Sequence, residues 1–369
     1  MNNLNVNWPR LEKLLGPEQY FNLLCVDEYL YSNTNDRPKK SNAINFEQFN
    51  WSHFVQIVDD NRTWPLVSQS FRKVAGDLGL ECQISESAVT NWTNNTKVNK
   101  ARNIVAKQEL LELVGNLQSG GVEPVLLKGA VRLIDGLWPK SSDRYIGDLD
   151  LLIPHDQLNL ATGVVQDLGY KFKSNPELNA SKHQLPELVN SKLLMPVELH
   201  FEVGIKVLQK RLNKNDFIKR GTIISTQDNQ LLKVPAVDHQ ILHCFYHGSL
   251  FFGNQHRKYF PMSDFFELSL LCKRCGEVKE FDLEPNFFGS TFEEYSSSYI
   301  PNLKLHKRTS HFYKLLIGYF ISSKKKYSWR QHENLLSRSV DMLIKYSYVA
   351  IVHRAIAVRA ALNRLRKTP

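Results

Sequence analysis

In the middle of the chain, apolar residues are first spaced as in a helix and then grouped in short runs as in strands. This change predicts which segments are helices and which are strands. Apolar residues recur at helical spacing over 101–117, and Gly120 with Gly121 ends that helix. Short, nearly continuous apolar runs at 122–127 and 149–153 predict buried strands. Helix and strand therefore alternate here, which is typical of a mixed α/β unit.

A third strand is predicted within 192–203, where single residues alternate between apolar and polar. The apolar face carries Val197, Leu199, Phe201 and Val203. The polar face carries Glu198, His200 and Glu202. A hairpin is predicted after this strand over 222–234, with its turn at 227–229.

Helical patterns dominate the rest of the chain. Helices are predicted over 156–168, 236–248, 262–275, 311–320 and about 332–365. The first 100 residues indicate irregular helices and loops, with Asn-rich polar stretches at 32–45 and 91–99. The pattern predicts an α+β fold, in which a small mixed β-sheet core at 115–234 lies between helical regions at 1–114 and 235–369.

Composition excludes several classes of protein. The 369 residues are 42% hydrophobic and 23% charged, with 20 Phe and 14 Tyr, so a disordered chain, a collagen and a disulfide-stapled miniprotein are excluded. The start of the sequence lacks the pattern of a secretory leader, and no apolar run reaches the roughly 18 residues of a spanning helix. Five scattered cysteines favour reduced thiols. We expect a cytoplasmic protein.

The net charge of +10 is concentrated at one end of the chain. Residues 300–369 contain 15 Lys or Arg against only Glu333 and Asp341, and the other 299 residues carry a net charge of −3. A helix with a broad apolar surface and basic residues is predicted there. Its basic residues either form a solvated charged face, bind a nucleic acid such as tRNA, or contact an anionic membrane. Of the two binding roles we favour the nucleic acid over the membrane.

Paired acids in the central unit suggest a metal site. Asp148 and Asp150 are two residues apart on a predicted strand, so both carboxylates project from the same face. Carboxylates this close repel each other unless a cation lies between them, and hard oxygen ligands suit Mg²⁺. Glu198, on the alternating strand, is the third candidate ligand, and three acids can hold two metal ions. The alternative is a solvated strand end that binds nothing.

Candidate phosphate contacts lie close to these acids in the sequence. Lys128 and Gly129 follow a buried strand, where a glycine lets the backbone approach phosphate oxygens and the lysine adds a point charge. Arg144 offers a planar fork that suits a triphosphate. Each signal alone is weak, because most Lys-Gly pairs form ordinary turns, but together they favour nucleotide chemistry.

Five sequence blocks carry a family resemblance over about residues 101–271. In chain order they are LLKGAVRLIDGLWP, RYIGDLDLLIP, PVELHFEV, VPAVDHQILHCFYH and SDFFELS. They resemble the bacterial family of uncharacterised nucleotidyltransferases in the DNA polymerase β-like superfamily. The resemblance implies a nucleotidyltransferase core at 115–234, with Lys128 and Gly129 for the triphosphate and Asp148, Asp150 and Glu198 for Mg²⁺. Ala130 stands where the wider superfamily has a serine, so one hydroxyl contact to phosphate is missing.

Histidines add candidates for supporting roles. His243, His247 and Asp264 match recurrent positions of the resembling family, which implies a role facing the nucleotide or supporting the metal site from behind. His200 shares a strand face with Glu198, so it either supports the metal site or makes an ordinary hydrogen bond. His243, His247, Cys272 and Cys275 would also suit zinc, but we favour buried packing for the cysteines.

The expected activity is transfer of a nucleoside monophosphate from an NTP such as ATP to a hydroxyl group, with pyrophosphate leaving and Mg²⁺, as two ions, as cofactor. The acceptor is expected to be tRNA or another RNA, or else a small molecule or a protein hydroxyl. A catalytically silent nucleotide-binding or scaffold module is the alternative function.

Overall fold

The computed structural model describes most of the N-terminal two-thirds of the chain. The described residues are 15–31, 49–81, 83–175, 183–204, 212–251 and 261–275, together with Leu11 and Gln209. The helices predicted at 311–320 and 332–365, and with them the basic C-terminal region, lie outside the described residues.

In the described residues of the N-terminal part there are four helices, and this part is more regular than the sequence suggested. They are α1 (Pro17–Tyr31), α2 (Trp51–Asn61), α3 (Trp64–Asp77) and α4 (Glu86–Ser119). Asn50 caps α2 by accepting a hydrogen bond from the His53 amide, and Ser85 caps α4 by accepting one from the Ala88 amide. Helix α4 therefore begins 15 residues before the predicted start at Ala101.

The Asn-rich stretch at 91–99 lies inside α4, so this polar stretch is regular helix. Two asparagines on one face of this helix are buried and bind the backbone of the segment that precedes the paired acids. The Asn99 side chain donates to the Ser142 carbonyl at 2.7 Å, and the Asn103 side chain donates to the Arg144 carbonyl at 2.7 Å. A polar residue in a helix can thus be part of the folded interior when a loop supplies its partners.

A seven-stranded mixed sheet occupies the centre of the described chain. Its strands are β1 (Val125–Leu126), β2 (Leu149–Leu152), β3 (Lys171–Phe172), β4 (Leu188–Val189), β5 (Val197–His200), β6 (Thr222–Ser225) and β7 (Leu231–Val234). Their order is β3-β4-β5-β2-β1-β7-β6. Strands β2 and β5 are parallel, as are β1 and β7, and the other pairs are antiparallel. The expected α+β fold with a small mixed sheet is confirmed.

Short helices connect the strands. They are α5 (Lys128–Arg132), α6 (Leu158–Asp167) and α7 (Lys214–Lys219), with a single 3-10 turn at His155–Gln157 before α6. The predicted hairpin is β6–β7. The strands within 122–127 and 192–203 are shorter than predicted, because pairing ends at Leu126 and His200.

Helices α8 (Val237–Phe251) and α9 (Met262–Cys275) follow the sheet, and α9 has the predicted bounds. They share one buried apolar cluster with the N-terminal helices, whereas α4, α6 and most of the sheet form a second cluster. A hydrogen bond of 2.9 Å between the Tyr31 and Ser269 hydroxyls joins α1 to α9.

The division of the chain into three regions, with boundaries at residues 114 and 234, remains a prediction. None of the described helices has the length and apolar character needed to cross a membrane.

The contacts of Asn103 give a first prediction. Asn103→Ala should lower the free energy of unfolding by about 1–3 kcal/mol, because the carbonyls of Ser141 and Arg144 each lose a hydrogen bond from this side chain. Asn95→Ala on the same helix is the matched control, since Asn95 is exposed and alanine favours a helix. Urea denaturation of both variants checks this. Equal stabilities would contradict a structural role for Asn103.

Candidate active site

A cavity of about 380 Å³ opens beside the sheet, between the end of α2, the start of α5 and helices α8 and α9. Eight of the ten residues predicted from the sequence line it: Lys128, Gly129, Arg144, Asp148, Asp150, His243, His247 and Asp264. The other two, Glu198 and His200, lie on β5 next to Asp150. The fold therefore brings the candidates together from five segments of the chain.

Asp150 is the most deeply buried acid of this group, with 1% of its surface exposed. Its Oδ1 atom accepts two hydrogen bonds, from Lys128 Nζ at 2.7 Å and from His200 Nε2 at 2.7 Å. Asp148 lies two residues earlier, is only half-buried and also lines the cavity. The two carboxylates thus differ: one is held by two donors, and the other is open to the cavity.

Glu198 is placed by the register of two parallel strands, in which Asp150 pairs with Glu198 and Leu152 with His200. One ligand atom each from Asp150, Glu198 and His200 lie within 4.8 Å of one another. His200 Nε2 is 3.5 Å from Glu198 Oε2, and His200 is fully buried. Glu198 lines a neighbouring depression, with Glu187 and Lys173, rather than the main cavity. Glu198 therefore reaches Asp150 from the neighbouring strand β5 and not from within the main cavity.

Electrostatic shifts follow from this crowding. Burial raises the pKa of Asp148 to about 7, and the nearby charges of Asp150 and Glu198 add to the rise. Burial alone would also raise the pKa of Asp150, but Lys128 and His200 outweigh it and hold that pKa below its usual range. The pKa of Lys128 is raised, because Asp150 and Glu198 outweigh its desolvation. The acids therefore carry more negative charge than their two cationic neighbours balance.

This charge and donor set fits a divalent cation. Carboxylate oxygens are the ligands that Mg²⁺ prefers, and a cation would relieve the repulsion that raises the pKa of Asp148. The Nδ1 atom of His200 has no hydrogen-bond partner among the described residues, while its Nε2 holds Asp150. We therefore interpret His200 as a residue that orients the Asp150 carboxylate.

The turn between β1 and α5 places Lys128. Its backbone has φ of 43°, a left-handed conformation that non-glycine residues rarely adopt. Its side chain reaches Asp150 from that position. At Gly129 a Cβ would lie 3.1 Å from Cγ2 of Ile146, so this glycine permits close packing of the turn on the segment before β2.

Arg144 lines the cavity, but its guanidinium already has acidic partners. Its Nε donates to Glu267 Oε2 at 3.0 Å, and its Nη2 is 3.5 Å from Asp264 Oδ1. Glu267 also accepts a hydrogen bond of 3.1 Å from Arg132 Nε, and the Arg132 and Glu267 side chains are 2% and 6% exposed. Arg144 is thus part of a buried ion network that joins α5 and the segment before β2 to α9.

Two histidines of α8, His243 and His247, line the same cavity. The pKa of His243 lies well below its usual value because of burial and the nearby Lys128, so this ring is neutral. His247 Nδ1 lies 3.2 Å from Asp264 Oδ2. Among the described residues, His243 and His247 form no metal-ligand cluster with Cys272 and Cys275, and the zinc alternative gains no support.

The cavity residues that the sequence analysis missed include Arg62, Tyr145 and Glu267. Glu267 lies three residues after Asp264 on one helix, so helical spacing could have identified it. Arg62 follows the last residue of α2, in a region where we read no chemistry. No sequence signal marks it, because its place depends on how the N-terminal helices pack.

A comparison with known protein families gives a match. Residues 47–274, more than half of the chain, match a family described as uncharacterised nucleotidyltransferase. This match confirms the resemblance given by the five sequence blocks. No curated protein matches the chain at a significant level.

Two solved structures are distantly similar. An antigenic nucleotidyltransferase-like protein from Paracoccidioides brasiliensis has 13% identity and a TM-score of 0.36, covering 55% of this chain and 94% of its own. The antibiotic-resistance factor ANT(2'')-Ia has 10% identity and a TM-score of 0.32, covering 53% of this chain and 92% of its own.

The buried ion network generates a second prediction. Glu267→Gln should lower the free energy of unfolding by on the order of 3 kcal/mol, because Arg132 and Arg144 lose a shared buried counter-charge. The control is Glu187→Gln, since the Glu187–Lys173 pair is at the surface and should contribute less than about 1 kcal/mol. Urea denaturation at pH 7 measures the loss of unfolding free energy in both variants. Equal losses would contradict the proposal that the buried ion network stabilises the fold.

Acidification provides a separate test of Glu267. Burial would raise its pKa, but Arg132 and Arg144 outweigh this and hold it below 4.5. Glu267 therefore contributes stability above its unfolded-state pKa, and this is lost as pH falls through the lower folded-state pKa. We expect the stability of the wild type to decrease more steeply below pH 4.5 than that of Glu267→Gln. Parallel curves in urea denaturation from pH 7 to pH 3 would contradict this.

Proposed function

Because the chain belongs to the family of uncharacterised nucleotidyltransferases, we propose that its cavity binds an NTP with Mg²⁺ and transfers the nucleoside monophosphate to a hydroxyl group. Pyrophosphate is the leaving group. The observation that carries this proposal is the convergence of Asp148, Asp150 and Glu198 beside Lys128, which the register of β2 and β5 produces.

In this proposal Asp148, Asp150 and Glu198 hold the metal ions, and three carboxylates suffice for two ions. Bound Mg²⁺ would lower the pKa of the attacking hydroxyl and neutralise charge on the leaving oxygen. His200 keeps the Asp150 carboxylate in one orientation through its hydrogen bond of 2.7 Å. Asp148 is the acid most in need of a cation, because its charge is the least balanced.

Phosphate binding is assigned to the β1–α5 turn. Lys128 provides a positive charge at the cavity, and Gly129 allows the turn to pack closely on Ile146. Arg144 is proposed to contact the nucleotide only at its exposed edge, since its side chain is 19% exposed and two carboxylates already bind it. His243, His247 and Asp264 line the same cavity and are proposed to shape the nucleotide site.

The acceptor is proposed to be a nucleic acid such as tRNA. The support is the sequence of residues 300–369, with 15 basic residues and two acids. A small molecule or a protein hydroxyl would be favoured instead if the protein bound no RNA at low salt. A cytoplasmic location belongs to the same proposal.

The direct test is incubation with each α-labelled NTP, Mg²⁺ and a cell extract. We expect label to pass to one class of acceptor, and chelation of the metal to stop the transfer. Tight binding of an NTP without transfer to any acceptor would favour the silent module. Absence of NTP binding would refute the proposal.

Matched substitutions separate the roles of the two aspartates. Asp148→Asn should slow transfer by at least on the order of 10²-fold without loss of stability, because it removes a carboxylate that its neighbours repel. Asp150→Asn should slow transfer and also lower the melting temperature, because Lys128 and His200 lose the negative charge that they share.

Asp167→Asn is the control, since Asp167 is exposed at the end of α6 and does not line the cavity. It should change neither transfer nor stability. Unchanged transfer in Asp148→Asn would remove Asp148 from the site, and equal melting temperatures of the two variants would contradict the different environments of the two acids.

A further inference from the structure

Four strong bases line the cavity, and three of them have a carboxylate partner. Lys128 contacts Asp150, Arg132 contacts Glu267, and Arg144 contacts Glu267 and Asp264. The fourth is Arg62, whose guanidinium has no carboxylate partner among the described residues. An anion entering this cavity therefore meets one guanidinium whose charge is not already balanced.

The guanidinium of Arg62 is held in a way that leaves its donors available. Its Cζ atom lies 3.8 Å from the centre of the Tyr145 ring. Stacking on a ring engages the face of a guanidinium, so the N–H groups in its plane stay available for an anion. Those side-chain N–H groups donate to no group in the described part of the chain, while the Arg62 backbone N–H donates to the Asp59 carbonyl at 3.1 Å.

Neighbouring contacts fix the segment that carries Arg62. The preceding residue, Asn61, accepts two hydrogen bonds from the start of α9, from the Met262 amide at 3.3 Å and from the Ser263 hydroxyl at 3.1 Å. The following residue, Thr63, donates to the buried Asn22 side chain of α1 at 3.0 Å. The backbone at Arg62 is thus anchored on both sides.

Backbone conformation is a second, independent observation. Three non-glycine residues of the described chain have positive φ: Arg62 at 55°, Lys128 at 43° and Asn229 at 60°. Asn229 lies in the β6–β7 hairpin turn, where asparagine suits this conformation. The other two are long basic residues that line the same cavity, and such conformations cluster at functional sites. At the end of α2, glycine would satisfy the backbone with less strain.

We propose that Arg62 binds the polyphosphate chain of the nucleoside triphosphate, as a binding residue supplied by the N-terminal helices. This inference rests on the proposed function and deepens it. Beside its proposed contact with the nucleotide, Arg144 has a positioning role, since it joins the segment before β2 to α9 through Glu267 and Asp264. The N-terminal helical region then contributes directly to substrate binding.

The test is calorimetric titration of the full chain with tripolyphosphate and with ATP, each in the presence of Mg²⁺. Arg62→Ala should raise the dissociation constant of both by on the order of 10-fold, as expected for loss of a charge-assisted hydrogen bond. Arg72→Ala is the matched control, because Arg72 is exposed on α3, pairs with Glu86 and does not line the cavity. It should leave both affinities unchanged.

A second variant separates binding from folding. Arg62→Gly removes the guanidinium but supplies the residue that best tolerates a φ of 55°, so its melting temperature should not fall below that of Arg62→Ala. Its affinity for tripolyphosphate should still fall by on the order of 10-fold. If both Arg62 variants bind tripolyphosphate and ATP as the wild type does, the inference is refuted.

The proposed function and the role of Arg62 are refuted by different results. A wild type that binds neither ATP nor tripolyphosphate would refute the proposed function and this inference together. A wild type that binds both, with affinity lost in Lys128→Ala but kept in Arg62→Ala and Arg62→Gly, would refute only the role of Arg62.

Discussion

The buried carboxylate of Asp150 is the constraint on which the site depends. A carboxylate inside a protein is stable only with partners, and here one oxygen accepts from both Lys128 and His200. Lys128 follows β1, and His200 ends β5, so a single side chain links three adjacent strands at the point where the cavity begins. The strained backbone of Lys128 follows from the same requirement, because the ammonium group must reach Asp150 from a tight turn.

A second buried charge has the same function on the other wall of the cavity. Glu267 binds Arg132 of α5 and Arg144 of the segment before β2, so α9 is attached to the sheet core by ion pairs rather than by apolar contacts alone. Ion pairs require defined geometry, whereas apolar surfaces can slide. The two networks therefore fix the relative positions of the acids on β2 and the residues of α8 and α9 that complete the cavity.

The sequence predicted five of the seven strands, with the hairpin among them, and the bounds of α9, because each has a clear hydrophobic period or a defined stop. It also selected the acids, since Asp148 and Asp150 lie on one strand and Glu198 on an alternating one. It missed β3 and β4, since a strand of two residues shows no period. It failed where an outcome depends on tertiary partners. The segment at 91–99 gave no helical pattern, yet it is helical, and the Asn99 side chain donates to the Ser142 carbonyl inside the protein. The ion pairs of Arg144 and the stacking of Arg62 on Tyr145 also depend on tertiary contacts, so the sequence alone does not predict them.

Charge balance connects the metal proposal with the role of Arg62. Carboxylates lining the cavity are Asp60, Asp148, Asp150, Asp264 and Glu267, with Glu198 beside them, against the bases Arg62, Lys128, Arg132 and Arg144. His243 is neutral and adds no positive charge. Such a surface would repel a triphosphate that came alone, so the proposed substrate is a complex of the nucleotide with divalent cations that the acids can share. Once those cations balance the acids on β2 and β5, the guanidinium of Arg62 remains to attract the phosphate oxygens. In this proposal, the surplus of acids and the arginine that has no carboxylate partner among the described residues act together on a metal–nucleotide complex.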